Sequence, residues 1–381
     1  MKICFITTEI FTHGYFGGYG KITRNIAGSL VKRGHDVYVI MPRVKGQEEL
    51  EIVDGIKVYS YPVIPHIPAS FSLPFSIPYF KKINPDIFHS CEINVTTWLA
   101  MILMPNKIHV INFQDPRTKE EEERILKLCN FPKARFRKVL VLGLLEKMFK
   151  WCANKADKTS APARYLLDGL KKRYDLDKEP EFLTNPIEMP KIKIKKAKKP
   201  TVAYVGRFDW VKRPEIYFEL AKKFPEVEFL ALGKAWEKDR DDELRKKYSS
   251  VKNLKFLGFI SDDAKKSEIL AKTWIMINTS IHECLPQSFL EALAHKCAIL
   301  SCQNPDNLVS EHGYYTEVVD NFETQKFEEG LKLLLKGNKW KKLGEKGERK
   351  MREVYETSKV IDKFEEIHKQ LITCKKNKKF F

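Results

Sequence analysis

The feature that most constrains the fold is a strand–loop–helix–strand pattern in about the first forty residues. An apolar run at residues 2–6 predicts a buried strand, and a glycine-rich loop follows it. Residues 21–33 then carry apolar side chains at helical spacing, and residues 37–40 form a second apolar run. Two strands joined by a helix within so short a stretch are typical of a parallel, doubly wound α/β sheet.

The same alternation continues along the chain and is interrupted once, at residues 185–200. This stretch holds three prolines and a lysine-rich run, and no helix pattern with caps. A length of 381 residues suits two domains of ordinary size. We therefore expect two α/β domains joined by a linker here. In the first domain, residues 119–129 and 138–156 predict helices, and the proline-rich residues 62–78 predict an irregular loop.

The charge leaves several classes of partner open. The chain has 68 Lys and Arg against 50 Asp and Glu, a net charge of +18, which would attract nucleic acid, an anionic membrane or phosphorylated substrates. Much of the excess lies in two lysine runs, residues 191–199 and 375–379. Such runs are typical of solvated surface, and aromatic residues do not alternate with them. We therefore expect no nucleic-acid partner.

The compartment is indicated by what the sequence lacks. No apolar run approaches the roughly 18 residues that a membrane span needs, and the first apolar run is too short for a signal peptide. The eight cysteines form no Cys-x-x-Cys pair, so neither a zinc site nor a disulfide framework is indicated. We expect a cytoplasmic protein without a bound metal.

Three loops that follow predicted strands carry candidate functional residues. The first contains Gly17 and Gly18 directly before a helix. Glycine lets the backbone approach a ligand closely, and the N–H groups at a helix start favour an anion. An ordinary turn explains these glycines equally well. The loop lacks the Gly-x-Gly-x-x-Gly spacing, which disfavours a nicotinamide cofactor.

The second loop places Arg207 and Lys212 after the first strand of the second domain. Two cations five residues apart at the carboxyl edge of a sheet suit a diphosphate. Arginine offers a forked pair of hydrogen bonds and lysine a point charge. The alternative is solvated surface, because basic residues are common in this chain.

The third loop leads into a helix and carries Glu283 and Glu291. A carboxylate can accept hydrogen bonds from two sugar hydroxyls, so this pair could hold a ribose and a second sugar. For Glu291 the alternative is an exposed helix carboxylate. Its apolar neighbours Leu290 and Ala292 argue against that alternative.

Motifs along nearly the whole chain, in order and correctly spaced, support a family resemblance. They are KRGHDVYVI, NPDIFHS, ADKTSAPARYL, TNPIE, VGRFDWVKRPE, HECLPQSFLEALAHKCAIL and ETSKVIDKFEEIHKQL. Together they resemble the family-4 glycosyltransferases of the GT-B fold, also called glycosyl transferases group 1. Their joint occurrence is far more specific than any one motif.

The resemblance implies two Rossmann-like domains facing a cleft. Residues 1–184 would form the acceptor-side domain, 185–200 the linker and 201–355 the nucleotide-sugar-binding domain. Residues 356–381 would form a helix returning to the N-terminal domain, followed by a basic tail. The implied activity is retaining transfer of a sugar from a UDP- or GDP-sugar donor to an acceptor, without a metal requirement.

The resemblance also implies a role for each candidate residue. Arg207 and Lys212 would hold the diphosphate and stabilise the leaving group, and Glu283 would contact the transferred sugar. These three are the catalytic candidates. Donor binding would further involve Gly17, Gly18, Leu285, Gln287 and Glu291, the last on the ribose. The acceptor side would involve His13, Gln114 and Asn185.

Departures from the family pattern leave alternatives open. Gln114 stands where many members carry a histidine, and it cannot act as an acid or base. Cys284, Lys296 and Pro186 replace residues that are usually small or glycine. The alternatives are a catalytically silent sugar-nucleotide-binding or scaffold protein and a sugar-nucleotide epimerase. The Glu283–Glu291 spacing argues against the epimerase.

A basic segment, residues 133–158, mixes Arg and Lys with large apolar residues. Such a helix can lie on an anionic membrane surface. Because related enzymes often modify lipid-linked acceptors, this suggests peripheral attachment to the inner face of the cell membrane. It also suggests a lipid-linked or cell-surface glycan precursor as acceptor. The alternative is an amphipathic helix packed on the sheet.

Overall fold

The computed structural model describes residues 1–10, 17–64, 74–128, 135–317 and 322–377. The chain divides into two compact units. The first unit consists of Met1–Lys119, Pro132–Pro186 and Thr357–Phe381, and the second of Glu120–Phe131 and Ile187–Glu356.

The first unit is built on an eight-stranded sheet. Its strands are β1 (Lys2–Ile6), β2 (Asp36–Pro42), β3 (Leu50–Val53), β4 (Ile56–Tyr61), β5 (Ile87–Cys91), β6 (Ile108–Asn112), β7 (Lys158–Ala161) and β8 (Glu181–Phe182). The strand order is β3-β4-β2-β1-β5-β6-β7-β8, and β3 alone pairs antiparallel. The order reverses between β1 and β5, which opens a crevice at their carboxyl ends.

Helices cover the faces of this sheet. They are α1 (Gly18–Lys32), α2 (Ile77–Ile83), α3 (Val95–Leu103), α5 (Arg135–Lys155) and α6 (Leu166–Tyr174). The helix between α3 and α5 in the chain, α4 (Lys119–Leu128), belongs from Glu120 onward to the second unit. The two helices expected in this region are α4 and α5. The expected loop at 62–78 lies partly outside the described residues, and its last two residues already belong to α2. Among the described helices, none is both long and apolar enough to cross a membrane.

In the first unit, the elements β3, α2, α3 and α6 were not predicted from the sequence. A local signal for α3 does exist. Asn94 accepts the backbone N–H of Thr97, and the Thr97 hydroxyl lies near the backbone N–H of Asn94, which is a capping box.

The second unit contains a six-stranded, fully parallel sheet. Its strands are β9 (Thr201–Val205), β10 (Glu228–Leu232), β11 (Leu254–Gly258), β12 (Ile275–Asn278), β13 (Ala298–Ser301) and β14 (Gly313–Tyr315), in the order β11-β10-β9-β12-β13-β14. Its helices are α7 (Pro214–Lys223), α8 (Lys238–Lys247), α9 (Asp263–Lys272), α10 (Gln287–Ala294), α11 (Leu308–His312), α12 (Gln325–Leu335) and α13 (Lys339–Lys350). Buried aromatic side chains, among them Tyr204, Phe208 and Tyr217, fill its core.

Lys196 is an exception in the lysine run, which was expected to be solvated. Its ammonium group donates to the carbonyl oxygens of Thr273 and His295, the latter at 2.7 Å. Burial lowers the pKa of Lys196. Lys191, Lys193 and most of the run are exposed, as expected. One linker lysine therefore fastens the start of the second unit to the ends of its helices.

The last helix, α14 (Thr357–Asn377), packs on the first unit. Its residues Ile361 and Phe364 are fully buried in a core shared with α1 and the sheet. His368 Nε2 lies 3.1 Å from Nδ1 of His89 on β5. Burial lowers the pKa of His368 to about 4, so both imidazoles are neutral at pH 7. The expected return of the C-terminal helix to the N-terminal domain is confirmed.

Candidate active site

Sheet order brings the predicted loops of the second unit together. β9 and β12 are neighbours, and the strand order reverses between them. The loops that leave their carboxyl ends, residues 206–213 and 279–286, therefore lie side by side at the position where open α/β sheets bind ligands.

Lys212 and Glu283, one from each loop, form an ion pair. Lys212 Nζ lies 2.7 Å from Glu283 Oε1, and the side chains are 22% and 11% exposed. The same oxygen accepts hydrogen bonds from Ser280 Oγ at 2.6 Å and Asn278 Nδ2 at 3.0 Å. Burial acts to raise the pKa of Glu283, but the Lys212 charge and these hydrogen bonds outweigh it, so the pKa lies below its ordinary value. Glu283 is thus a fixed, ionised carboxylate.

Arg207 lies at the same edge but is less restrained. Its side chain is 47% exposed and pairs with Asp209 at 3.2 Å. The guanidinium also lies over the exposed ring of Trp236, 5.5 Å from its centroid. The exposed guanidinium is available to an anionic ligand at this edge.

Glu291 lies on α10 and is 6% exposed, so the alternative of an exposed helix carboxylate is wrong. Its Oε1 lies 2.7 Å from Nζ of Lys266 on α9. Lys266 was not among the candidate residues predicted from the sequence. The available signal was its place in the first turns of the helix after β11, at the same carboxyl edge. Leu285 and Gln287, both buried, lie just before α10 and at its first residue.

In the first unit, Gly17 and Gly18 lie at the start of α1, as predicted. Glu9 Oε1 accepts the backbone N–H of Gly20 at 2.8 Å. A β-carbon on Gly17 would lie 2.1 Å from the same oxygen. The protein's own carboxylate therefore occupies this helix N-terminus, and glycine is needed there to make room for it.

The acceptor-side candidates have different surroundings. Gln114 follows β6, is 4% exposed and donates to Asn112 Oδ1 at 3.0 Å. Asn185 is 1% exposed, and its amide has no hydrogen-bond partner within the described part of the chain. His13 lies outside the described residues.

Glu92 is a further residue that sequence analysis missed. It follows β5 directly, at the strand reversal of the first sheet, and has a φ of 90°. Its Oε1 accepts the backbone N–H of Asp115 at 2.6 Å. Burial and the nearby Asp115 carboxylate raise the pKa of Glu92 to about 7. The signal was an acidic residue immediately after a buried strand, in the sequence HSCE.

Two of the departures from the family pattern can be described locally. Lys296 follows α10 with a φ of 59°, the left-handed conformation that glycine adopts most easily. Cys284 is buried, with its Sγ 3.6 Å from His282 Nε2. Lys296 therefore stands at a backbone position that favours glycine.

Solved structures match the fold over nearly the full chain. Sucrose-phosphate synthase from Thermosynechococcus elongatus has a TM-score of 0.77 and 15% identity, with 98% of this chain and 99% of that chain covered. Anabaena HepE in complex with UDP and glucose has a TM-score of 0.72 and 16% identity, covering 96% and 99%. WaaG, a glycosyltransferase involved in lipopolysaccharide biosynthesis, has a TM-score of 0.70 and 14% identity, covering 96% and 99%. The fold is GT-B.

Family models give the assignment. The model for glycosyl transferases group 1 matches residues 187–350, and the model for glycosyltransferase family 4 matches residues 16–188. A comparison with curated protein sequences found no match. The protein is a glycosyltransferase enzyme. It belongs to the group 1, family 4 glycosyltransferases, as the sequence motifs indicated.

Proposed function

We propose that this glycosyltransferase moves a sugar, with retention of configuration, from a nucleoside-diphosphate sugar to an acceptor. The observation that carries the proposal is the Lys212–Glu283 ion pair at the strand reversal of the second unit. It sets a cation beside a carboxylate, which suits a reaction that separates charge between a leaving diphosphate and a sugar ring.

The donor is held along one sheet edge. Arg207 and Lys212 bind the diphosphate oxygens, and the backbone N–H groups near Leu285 and Gln287 add donors at the start of α10. Glu291 accepts hydrogen bonds from the ribose hydroxyls. HepE was solved with UDP and glucose, which supports a UDP-sugar as donor here, with a GDP-sugar as the alternative.

In the transfer step, the bond between the anomeric carbon and the phosphate oxygen breaks, and its electron pair goes to the diphosphate. Arg207 and Lys212 stabilise the negative charge that develops there. Glu283 stabilises the positive charge that develops on the sugar ring. The acceptor hydroxyl forms the new bond on the face that the diphosphate leaves and gives its proton to the departing phosphate oxygen. Since the two cations already supply positive charge, we expect activity to survive treatment with a chelator.

The acceptor is a glycan or a lipid-linked sugar. Gln114 and Asn185 of the first unit offer neutral amides, which suit sugar hydroxyls better than charged groups. Gly18 leaves open space beside the start of α1, whereas the Glu9 carboxylate occupies the space next to Gly17.

Membrane docking extends this proposal. Within the described part of α5, Trp151 is 40% exposed next to the exposed Lys147 and Lys150. α5 contacts α3, where Ile102 and Leu103 are also exposed. Basic and apolar side chains on neighbouring helices suit the anionic inner face of a membrane. Co-sedimentation with liposomes tests this, and equal partitioning with and without anionic lipid would contradict it.

The decisive experiment is calorimetry against a panel of UDP-, GDP- and ADP-sugars, followed by assay of slow donor hydrolysis. We expect one class to bind the wild type, and we expect Arg207→Ala and Glu291→Ala each to weaken that binding at least tenfold. Binding without any hydrolysis or transfer would favour the silent binding protein. No binding to any member of the panel would refute the proposed donor.

A further inference from the structure

Arg213 occupies an unusual position between the 3₁₀ turn Trp210–Lys212 and α7. Its φ is 44°, in the left-handed region that side-chain-bearing residues rarely adopt. Its side chain is only 2% exposed and is among the largest fully buried side chains of the protein. Glycine would fit the backbone more easily, and an apolar residue would fit the burial more easily. The contacts of the guanidinium group account for an arginine here.

The guanidinium ties together the ends of neighbouring strands. Nε donates to the carbonyl oxygen of Thr279, directly after β12, at 2.9 Å. Nη2 lies 3.4 Å from Sγ of Cys302, directly after β13. Because Arg213 itself belongs to the loop after β9, its side chain fixes three adjacent carboxyl ends relative to one another.

The side chain of Thr279, in turn, bonds to the backbone of the loop that carries Lys212 and Arg213. Its hydroxyl lies 2.7 Å from the carbonyl oxygen of Lys212 and 2.8 Å from that of Arg213, and the two oxygens share its single proton. Two residues after Thr279, the backbone N–H of Ile281 donates to the carbonyl oxygen of Val211 at 2.8 Å. In addition to their ion pair, the loop carrying Lys212 and the loop carrying Glu283 are thus joined by backbone and hydroxyl hydrogen bonds.

We propose that Arg213 is a positioning residue for sugar transfer: through Thr279 it holds Lys212 and Glu283 in register with the donor diphosphate. The inference rests on the proposed function, since it concerns the same site. Arg213 does not touch the donor. It acts by keeping the Lys212 ammonium where the second phosphate of a nucleoside diphosphate binds.

The affinity ratio of a nucleoside diphosphate to its monophosphate tests this role, because the two ligands differ by that phosphate. Calorimetry would use UDP with UMP and GDP with GMP on the wild type and on Arg213→Gly, which suits the left-handed backbone. We expect Arg213→Gly to reduce the diphosphate preference about tenfold and to leave monophosphate affinity within about twofold. Equal weakening of both ligands would show a general folding role and overturn the inference.

Lys296→Gly is the matched control, since it also replaces a basic residue by glycine at a left-handed position of the second unit. It should leave both affinities unchanged. Thr279→Val should reproduce the Arg213→Gly effect, and the double variant should be no weaker than the more severe single variant, because both act through one link. If the two losses of diphosphate preference multiply in the double variant, Arg213 and Thr279 act separately and the inference is wrong.

The results of these measurements distinguish a failure of this inference from a failure of the proposed function. A wild-type chain that binds neither UDP nor GDP refutes the proposed function and the inference with it. A wild type that binds, with an unchanged ratio in Arg213→Gly, refutes the role of Arg213 alone.

Discussion

The ammonium group of Lys212 lies 2.7 Å from Oε1 of Glu283, although 71 residues separate them in the chain. Each restrains the other before a donor arrives. The lysine keeps the carboxylate ionised despite its burial, and the carboxylate fixes the lysine beside the strand ends. The pair can therefore act without reorganising when charge develops in the transfer step.

Replacing Lys212 by methionine should lower turnover by about 100-fold, the usual cost of losing one such charge. Without the ammonium group, burial should raise the pKa of Glu283, so the acidic limb of the kcat/KM profile should move to higher pH. Donor hydrolysis measured across pH checks both effects. Lys222→Met, which removes an exposed lysine of α7, is the control and should behave like the wild type. If the acidic limb does not move in Lys212→Met, the Lys212 charge does not lower the pKa of Glu283.

Replacing Lys266 by methionine should weaken nucleotide binding about tenfold, since Glu291 loses the ammonium group that holds its carboxylate in place. The affinities of UDP and 2′-deoxy-UDP, measured by calorimetry, separate ribose recognition from other contacts. The wild type should prefer UDP, and Glu291→Ala should lose that preference. Lys265→Met, on the exposed side of α9, should change neither affinity. A preference that survives in Glu291→Ala would remove Glu291 from the ribose.

Glu92 should make stability depend on pH. Its folded pKa of about 7 lies above its ordinary value of 4.5, so the folded protein binds this proton more tightly than the unfolded chain. The contribution of the group is therefore fully present below pH 4.5 and is lost as the pH rises to 7. At about 1.4 kcal/mol per pKa unit, the loss reaches up to about 3 kcal/mol.

Urea unfolding at pH 5 and pH 8 checks this expectation. Glu92→Gln should remove most of the decline between the two pH values, because the amide stays neutral throughout. Glu366→Gln, at an exposed position of α14, should leave the decline intact. If the free energy of unfolding depends on pH in the same way in the wild type and in Glu92→Gln, the pKa of Glu92 is not raised in the folded protein.

Lys196 should contribute to the stability of the second unit. Lys196→Met removes the charged donor from the carbonyl oxygens of Thr273 and His295 and leaves them only the weak thiol donor of Cys297, which should cost about 1–3 kcal/mol in the free energy of unfolding. The neighbouring Lys195 is exposed, and Lys195→Met should stay within about 0.5 kcal/mol of the wild type. Equal values for the two variants in chemical denaturation would show that Lys196 is no more than a solvated linker residue.

Much of the fold and of the candidate donor site could be predicted from the sequence because both depend on local patterns. Alternating apolar runs and helical segments define the two α/β units, and the carboxyl end of each parallel strand marks a loop where ligands bind. Arg207, Lys212, Glu283 and Glu291 all lie in or after such loops. The family motifs then indicated that these four positions belong to the same candidate site.

The partners of those residues were decided by the tertiary structure alone. Lys266 meets Glu291, and Arg213 reaches Thr279, because the order of strands in the sheet makes distant loops neighbours. Glu92 acquires its raised pKa from burial and from Asp115, which follows the adjacent strand. Residue type and spacing define which chemical groups a chain carries. Strand order and packing define which of them lie within hydrogen-bonding distance, and that distance sets their charge and their role.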